Sequence, residues 1–254
     1  MKKILSIARY TFIENVRNRV FYILILFGVV IIGASLLLAA LGGEQQQRIL
    51  LNIGLGAIEV FALLTVSFSA VTLILEEMES KTIYLVLTRP VPRGVYLFGR
   101  YLGLAAAVYC GMAIMSVMHL GVLLLKGWNP GLKYFIAILL SAEKITIISS
   151  LALFFSLFSS SAVSSVSFTF FLWVMGHFSE ELNFLANKLQ LVVPKLLIKT
   201  FYYIAPNLQY YNLRDFWDVP GLSIKWLSAA SAYGVAYSLV FLFLSLWLFK
   251  NREF

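Results

Sequence analysis

Six long apolar runs decide what this chain can fold into: 20–41, 49–75, 97–125, 132–158, 162–178 and 227–249. A bilayer core is crossed by a helix of roughly 20 apolar residues, and inside it only helices and closed barrels satisfy every backbone polar group. The runs therefore predict six membrane-spanning helices in a single all-α domain, 1–254. The second, third and fourth runs exceed the length needed, so those helices tilt or continue beyond the lipid. The composition agrees, with 61% hydrophobic and 13% charged residues against about 45–50% and about 25% in a soluble domain. An ordinary soluble enzyme, a disordered tail and a nucleic-acid module are all excluded.

In such a chain the formal charge of +8 reads as topology, because basic residues gather where a membrane protein meets anionic lipid. One face collects Lys2, Lys3, Arg9, Arg17 and Arg19, then Lys81, Arg89, Arg93 and Arg100, then Lys250 and Arg252. The short loops of the other face hold Arg48, Lys126 and Lys133. Both termini are thus expected in the cytoplasm, and the protein in the cell (inner) membrane. The long segment 179–226 carries Lys188, Lys195, Lys199, Arg214 and Lys225 against the trend, but long loops weigh little in the rule. The first run follows a basic start, as a signal peptide would, yet it is too long, and Arg9, Glu14, Arg17 and Arg19 interrupt what precedes it. It reads as an uncleaved span. The single cysteine, Cys110, lies in an apolar run and reads as a small buried hydrophobe.

Three segments lie outside the lipid. Ile4, Leu5, Ala8, Phe12 and Val16 recur at helical spacing over 1–19, which predicts a helix in the cytoplasmic interface or a cytoplasmic extension of the first span. In the loop 76–100, the acids Glu76, Glu77 and Glu79 lead into a short apolar face of Ile83, Leu85, Val86 and Leu87. Pro90 and Pro92 then forbid continuation of that helix. Between spans five and six, Leu182, Leu185, Leu189, Val192 and Leu196 predict an amphipathic helix, kinked near Pro194, on or capping the outer surface. The tyrosines and Trp217 that follow read as an interfacial belt, and 179–226 is the candidate contact for any extracytoplasmic partner.

Within the spans, Ser156, Ser159, Ser160, Ser161, Ser164, Ser165 and Ser167 surround a tight turn and suit close packing by small residues. Gly99 and Gly103 form a GxxxG, a spacing common in membrane helices. Glu59, Glu143 and Lys144 are the ionisable side chains deep inside the spans. A helical rise of about 1.5 Å per residue puts Glu59 roughly 15 Å and Lys144 roughly 18 Å below the outer surface, so an ion pair between spans two and four is expected. Glu143, about 100° away around the helix, would face either span two or a dimer seam or wet pathway. His119 and His177 read as packed or interfacial residues near the outer surface. No catalytic residue and no metal ligand set is indicated, and no G-x-x-x-x-G-K-[ST] is present to cradle ATP phosphates.

The chain resembles the permease subunits of type 2 ABC exporters. The residues that carry the resemblance are Glu76, Glu77 and Glu79, then Lys81-Thr82, then Leu85-Val86-Leu87-Thr88-Arg89-Pro90-Val91-Pro92-Arg93, then Leu97 to Gly103. Ser80-Lys81 precedes the threonine where Gly is usual, Pro92 stands where Ser is common, and Arg100 replaces a Lys. Pro206-Asn207-Leu208 and Asn212-Leu213-Arg214 are similar to permeases of the nitrous-oxide-reductase maturation type. The resemblance implies a homodimer or pseudo-dimer, each copy docked on a separate cytosolic ABC ATPase that holds the ATP and Mg. It assigns Glu76, Glu77, Glu79, Thr82, Leu85, Leu87, Arg89, Pro90 and Arg93 to that coupling loop. The rival functions are an ion-coupled secondary transporter, an intramembrane enzyme and a membrane scaffold without transport.

The charge asymmetry makes a direct prediction. In a Cys110→Ala background, a cysteine at Asn187 should react with an impermeant thiol reagent on intact cells, and one at Ser80 should not. The reverse pattern contradicts the topology.

Overall fold

The computed structural model describes residues 2–80, 91–189, 191–213 and 223–251, which are helical and contain no strand. Among the described residues nine α-helices follow in order: α1 (Lys2–Arg17), α2 (Arg19–Ala40), α3 (Gln46–Glu79), α4 (Arg93–Leu125), α5 (Gly131–Phe158), α6 (Ala162–His177), α7 (Ser179–Lys188), α8 (Val192–Ile204) and α9 (Ile224–Asn251). Five of them, α2, α3, α4, α5 and α9, are long and apolar enough to cross a membrane. The fifth predicted span is different: α6 passes that test only together with α7, from which it is bent by 71°.

The central helix is α3, which packs against α2, α4, α5 and α6, while α9 lies on α5. With 34 residues α3 would be about 51 Å long, well beyond a hydrocarbon core of about 30 Å. Its inward faces are lined by Leu50, Ile58, Leu63, Val66 and Ile74, all essentially inaccessible. The serine-rich turn joins α5 to α6 closely: Ser156 and Ser165 hydroxyls lie 3.2 Å apart, and Ser156 also donates to Ala152 O at 2.8 Å. Ser161 caps α6 by accepting from the Ser164 N–H at 3.3 Å.

The structure corrects three expectations. First, α1 is not an extension of the first span. Asn18 has an extended backbone (φ −69°, ψ 131°) and its side chain accepts from the Val20 N–H at 2.9 Å, so it caps α2 and lets the chain turn. Second, α1 lies along α4, where Ile4, Ala8, Phe12 and Val16 of the predicted stripe are half-buried but the most deeply buried positions are polar. Thr11 and Asn15 are buried whereas Leu5 is 73% exposed. The seam is made by the glycine pair: a Cβ on Gly99 would lie 2.8 Å from Ile7 Cβ, and one on Gly103 would lie 2.5 Å from Ala8 O. Only hydrogen at both positions lets the two backbones approach this closely.

Third, the outer amphipathic segment is two helices, not one helix kinked at the proline. The chain leaves α7 at Leu189, which is extended (φ −74°, ψ 128°), as is Leu191 before α8. Pro194 sits inside the first turn of α8, where its missing N–H costs no helical hydrogen bond. Val192 and Leu196 are 77% and 65% exposed, so the apolar row faces outward rather than onto the bundle.

Replacing Gly103 by Leu should force α1 off α4 and destabilise the detergent-solubilised protein by about 1–3 kcal/mol, the usual cost of overpacking. Gly121→Ala, where a Cβ would meet nothing within 4 Å, should be neutral or slightly stabilising in the same thermal melts.

Candidate functional site

Two clusters of buried charge tie the helices together, and α3 contributes to both. The first lies at its far end, beside the loop 76–100. Arg100, on α4, is 3% exposed and pairs with Glu77 of α3 and Glu14 of α1. Its Nη1 also donates to Thr11 Oγ1 and its Nε to the Tyr96 hydroxyl, both at 3.2 Å, while Tyr96 donates to Glu77. Asn15 Nδ2 in turn donates to Thr11 O at 2.9 Å. The guanidinium lies 5.4 Å from the Tyr96 ring centre and 5.7 Å from that of Tyr10. A planar five-donor group suits this position because it serves two carboxylates and two hydroxyls at once.

Arg93 extends this cluster to the last span. Its Nη1 donates to Phe249 O at 3.0 Å and Lys250 O at 2.7 Å, carbonyls close to the end of α9. The Tyr96 and Phe249 rings stack with centroids 5.9 Å apart. Both flanks of the loop 76–100 are therefore fastened to the bundle, at Glu77 on one side and at Arg93, Tyr96 and Arg100 on the other. Of the expected loop residues, Thr82, Leu85, Leu87, Arg89 and Pro90 lie outside the described residues, as do the side chains of Glu76 and Glu79.

The second cluster lies midway along α3. Lys144 Nζ donates to Glu59 Oε1 at 2.8 Å, with the two side chains 0% and 2% exposed. A lone charge at this depth would cost at least about 2.5–3.5 kcal/mol, and pairing offsets it. His177 joins them: its Nε2 is 2.9 Å from Glu59 Oε1 and 3.2 Å from Lys144 Nζ, and its Nδ1 is 2.9 Å from Trp173 O. This corrects its placement as a residue near the outer surface. Fourteen residues separate Lys144 from Phe158 and fifteen separate Ala162 from His177. Across the tight turn, α6 thus returns only to the level of Lys144 before it bends. The signal that could have found His177 was that equality of lengths.

Glu143 does not face α3. Its Oε1 accepts from Ser231 Oγ on α9 at 2.7 Å, and its Oε2 is buried with no hydrogen-bond partner among the described residues. Tyr211, in the turn before α9, donates to Ala230 O at 2.7 Å. Burial, and secondarily the Glu143 carboxylate, raise the Tyr211 phenol above its usual range and keep it a neutral donor. His119 is a packed residue, its ring nitrogens 3.1 Å from the Tyr134 hydroxyl and 3.2 Å from Leu50 O. Among the described residues no group of three His, Cys, Asp or Glu side chains could hold a metal ion.

The comparisons with known proteins agree with this architecture. Residues 5–254 match the family model described as ABC-2 family transporter protein. No curated protein matches the chain. Because the match runs over essentially the whole sequence and takes in both charge clusters, the chain belongs to the ABC-2 transporter family, a family of multi-pass membrane transport proteins.

Proposed function

We propose that the chain is the permease subunit of a transporter driven by a separate cytosolic ABC ATPase, which docks on the loop 76–100 and carries the ATP and Mg. The observation that supports this reading is the fastening of that loop's flanks. Arg100, Glu77, Glu14 and Tyr96 join α1, α3 and α4, and Arg93 adds α9. A displacement imposed on the loop would be passed to four helices together instead of being absorbed by slack backbone.

In this reading two copies assemble, and the substrate moves through or between their helix bundles. Both termini face the cytoplasm, and α1 lies at the headgroups with Lys2, Lys3, Arg9 and Arg17 exposed. The outer helices α7 and α8 offer the surface for an extracytoplasmic partner. The narrower likeness to nitrous-oxide-reductase maturation permeases rests on Pro206-Asn207-Leu208 and on Asn212-Leu213-Arg214, of which Arg214 lies outside the described residues.

Leu85→Asp or Leu87→Asp would place an unpaired charge in the docking face, where desolvating it costs several kcal/mol. Co-purification with the ATPase should be lost while the permease keeps its melting temperature. Wild-type ATPase binding and stimulation in either variant would remove that face from the docking surface.

A further inference from the structure

The hydrogen bonds around His177 cannot all be made in one protonation state. Nδ1 lies 2.9 Å from Trp173 O, and a carbonyl only accepts, so Nδ1 carries a hydrogen whether the ring is neutral or cationic. In the neutral ring Nε2 is then bare. A bare Nε2 can accept from Lys144 Nζ at 3.2 Å but sets its lone pair against Glu59 Oε1 at 2.9 Å. In the cationic ring the reverse holds: Nε2–H donates to Glu59 and opposes Lys144. One proton therefore decides which of the two partners the ring serves.

His177 is the member of the site that reaches the surface of the bundle. The His177 side chain is 18% exposed, against 2% for Glu59 and 0% for Lys144. It is the last residue of α6, where the chain bends by 71° into α7, whose Glu180 and Glu181 are exposed. Packed on α6 are α3, α5, α7 and α8, and also the segment 206–208, whose Leu208 N–H donates to Gly176 O at 3.0 Å and which carries no ionisable side chain. From α3 and α5 the ring meets Glu59 and Lys144, while Glu143 turns to Ser231 on α9. From α7 come Glu180, Glu181 and Lys188, with Glu181 accepting from Gln209 Nε2 at 3.1 Å, and from α8 come Lys195 and Lys199. Among the described residues none of those five hydrogen-bonds to the ring.

We propose that His177 is a proton-binding site reached by water from the outer side, where an incoming proton transfers the ring's Nε2 from Lys144 to Glu59. The proton adds to Nε2 and the ring gains one positive charge. Lys144 keeps its own proton and its bond to Glu59. The carboxylate then holds two cations, and the α5–α6 contact through Nε2 is given up. The proposal depends on the outward placement of α7 and stands whether or not an ATPase docks on the loop 76–100.

Solid-state NMR of the full-length protein in liposomes, labelled with ¹⁵N-histidine, tests it. His177 is identified by correlation with a ¹³C-labelled Trp173 carbonyl. At pH 8 the ring should show hydrogen on Nδ1 and a bare Nε2, and at pH 5 both nitrogens should be protonated. Lys144→Gln removes the opposing cation and should move the midpoint up by at least about one pH unit, a tenfold gain in proton affinity. Glu59→Gln should move it down by a similar amount. The wild-type titration needs no variant to fold. A ring that is still neutral at pH 5, a hydrogen on Nε2 instead of Nδ1 at pH 8, or a midpoint unmoved by Lys144→Gln would overturn the proposal.

Discussion

An ionised side chain cannot stand alone in hydrocarbon, and in this protein that constraint selects which helices touch. Among the described residues two ion-paired clusters tie the bundle, and the central helix α3 supplies a carboxylate to each, while Glu143 is met by Ser231 of α9. Glu59 binds Lys144 of α5 and His177 of α6, and Glu77 binds Arg100 of α4, which also holds Glu14 of α1. Apolar packing among spans is weakly selective, because lipid tails are as apolar as leucine. A misplaced partner would leave a charge unpaired at a cost of several kcal/mol. The ion pairs therefore fix register, and the close-packed glycines and serines fill in around them.

The two clusters also divide the molecule by task. At one end, Arg100 and Arg93 make a rigid frame around the loop 76–100, and Gly99 and Gly103 bring α1 onto the same helix that carries both arginines. Midway along α3, the pair and its histidine hold the point where α6 stops and the chain bends by 71° into α7. In the proposed coupling, a movement entering through the frame would travel along α3, which is one unbroken helix between Glu77 and Glu59. The exposed apolar faces of α2, α8 and α9 are left to lipid or to neighbouring subunits.

Five of the spans and the partnership of Glu59 with Lys144 were legible because length and depth along a helix are properties of the sequence alone. The seating of α1 was not. Helical periodicity marks an apolar stripe without saying whether protein or lipid covers it, and here Leu5 is turned outward while Thr11 and Asn15 are buried. Those two polar residues are tolerated inside because Thr11 accepts from Arg100 and Asn15 donates to Thr11 O. Gly99 and Gly103 carried the signal for that seam, but a GxxxG does not name its partner. His177 was hidden for another reason. Its depth depends on how far α6 rises after the serine turn, so an apolar run counted as a full span placed it too close to the surface. Pro194 was read as a kink when it lies in the first turn of a helix, where its missing N–H costs no helical hydrogen bond.

The claim that buried ion pairs set the register of the bundle is tested most directly by exchanging the charges of Glu59 and Lys144. Glu59→Lys alone sets two cations side by side and Lys144→Glu alone sets two anions, so each should lower the melting temperature and folded yield of the solubilised protein, with losses of about 3–5 kcal/mol. The double variant, with the pair reversed, should recover most of that loss, because contacting residues are strongly non-additive. Losses that simply add in the double variant would mean that the two side chains do not meet, and that something other than this pair holds α3 against α5.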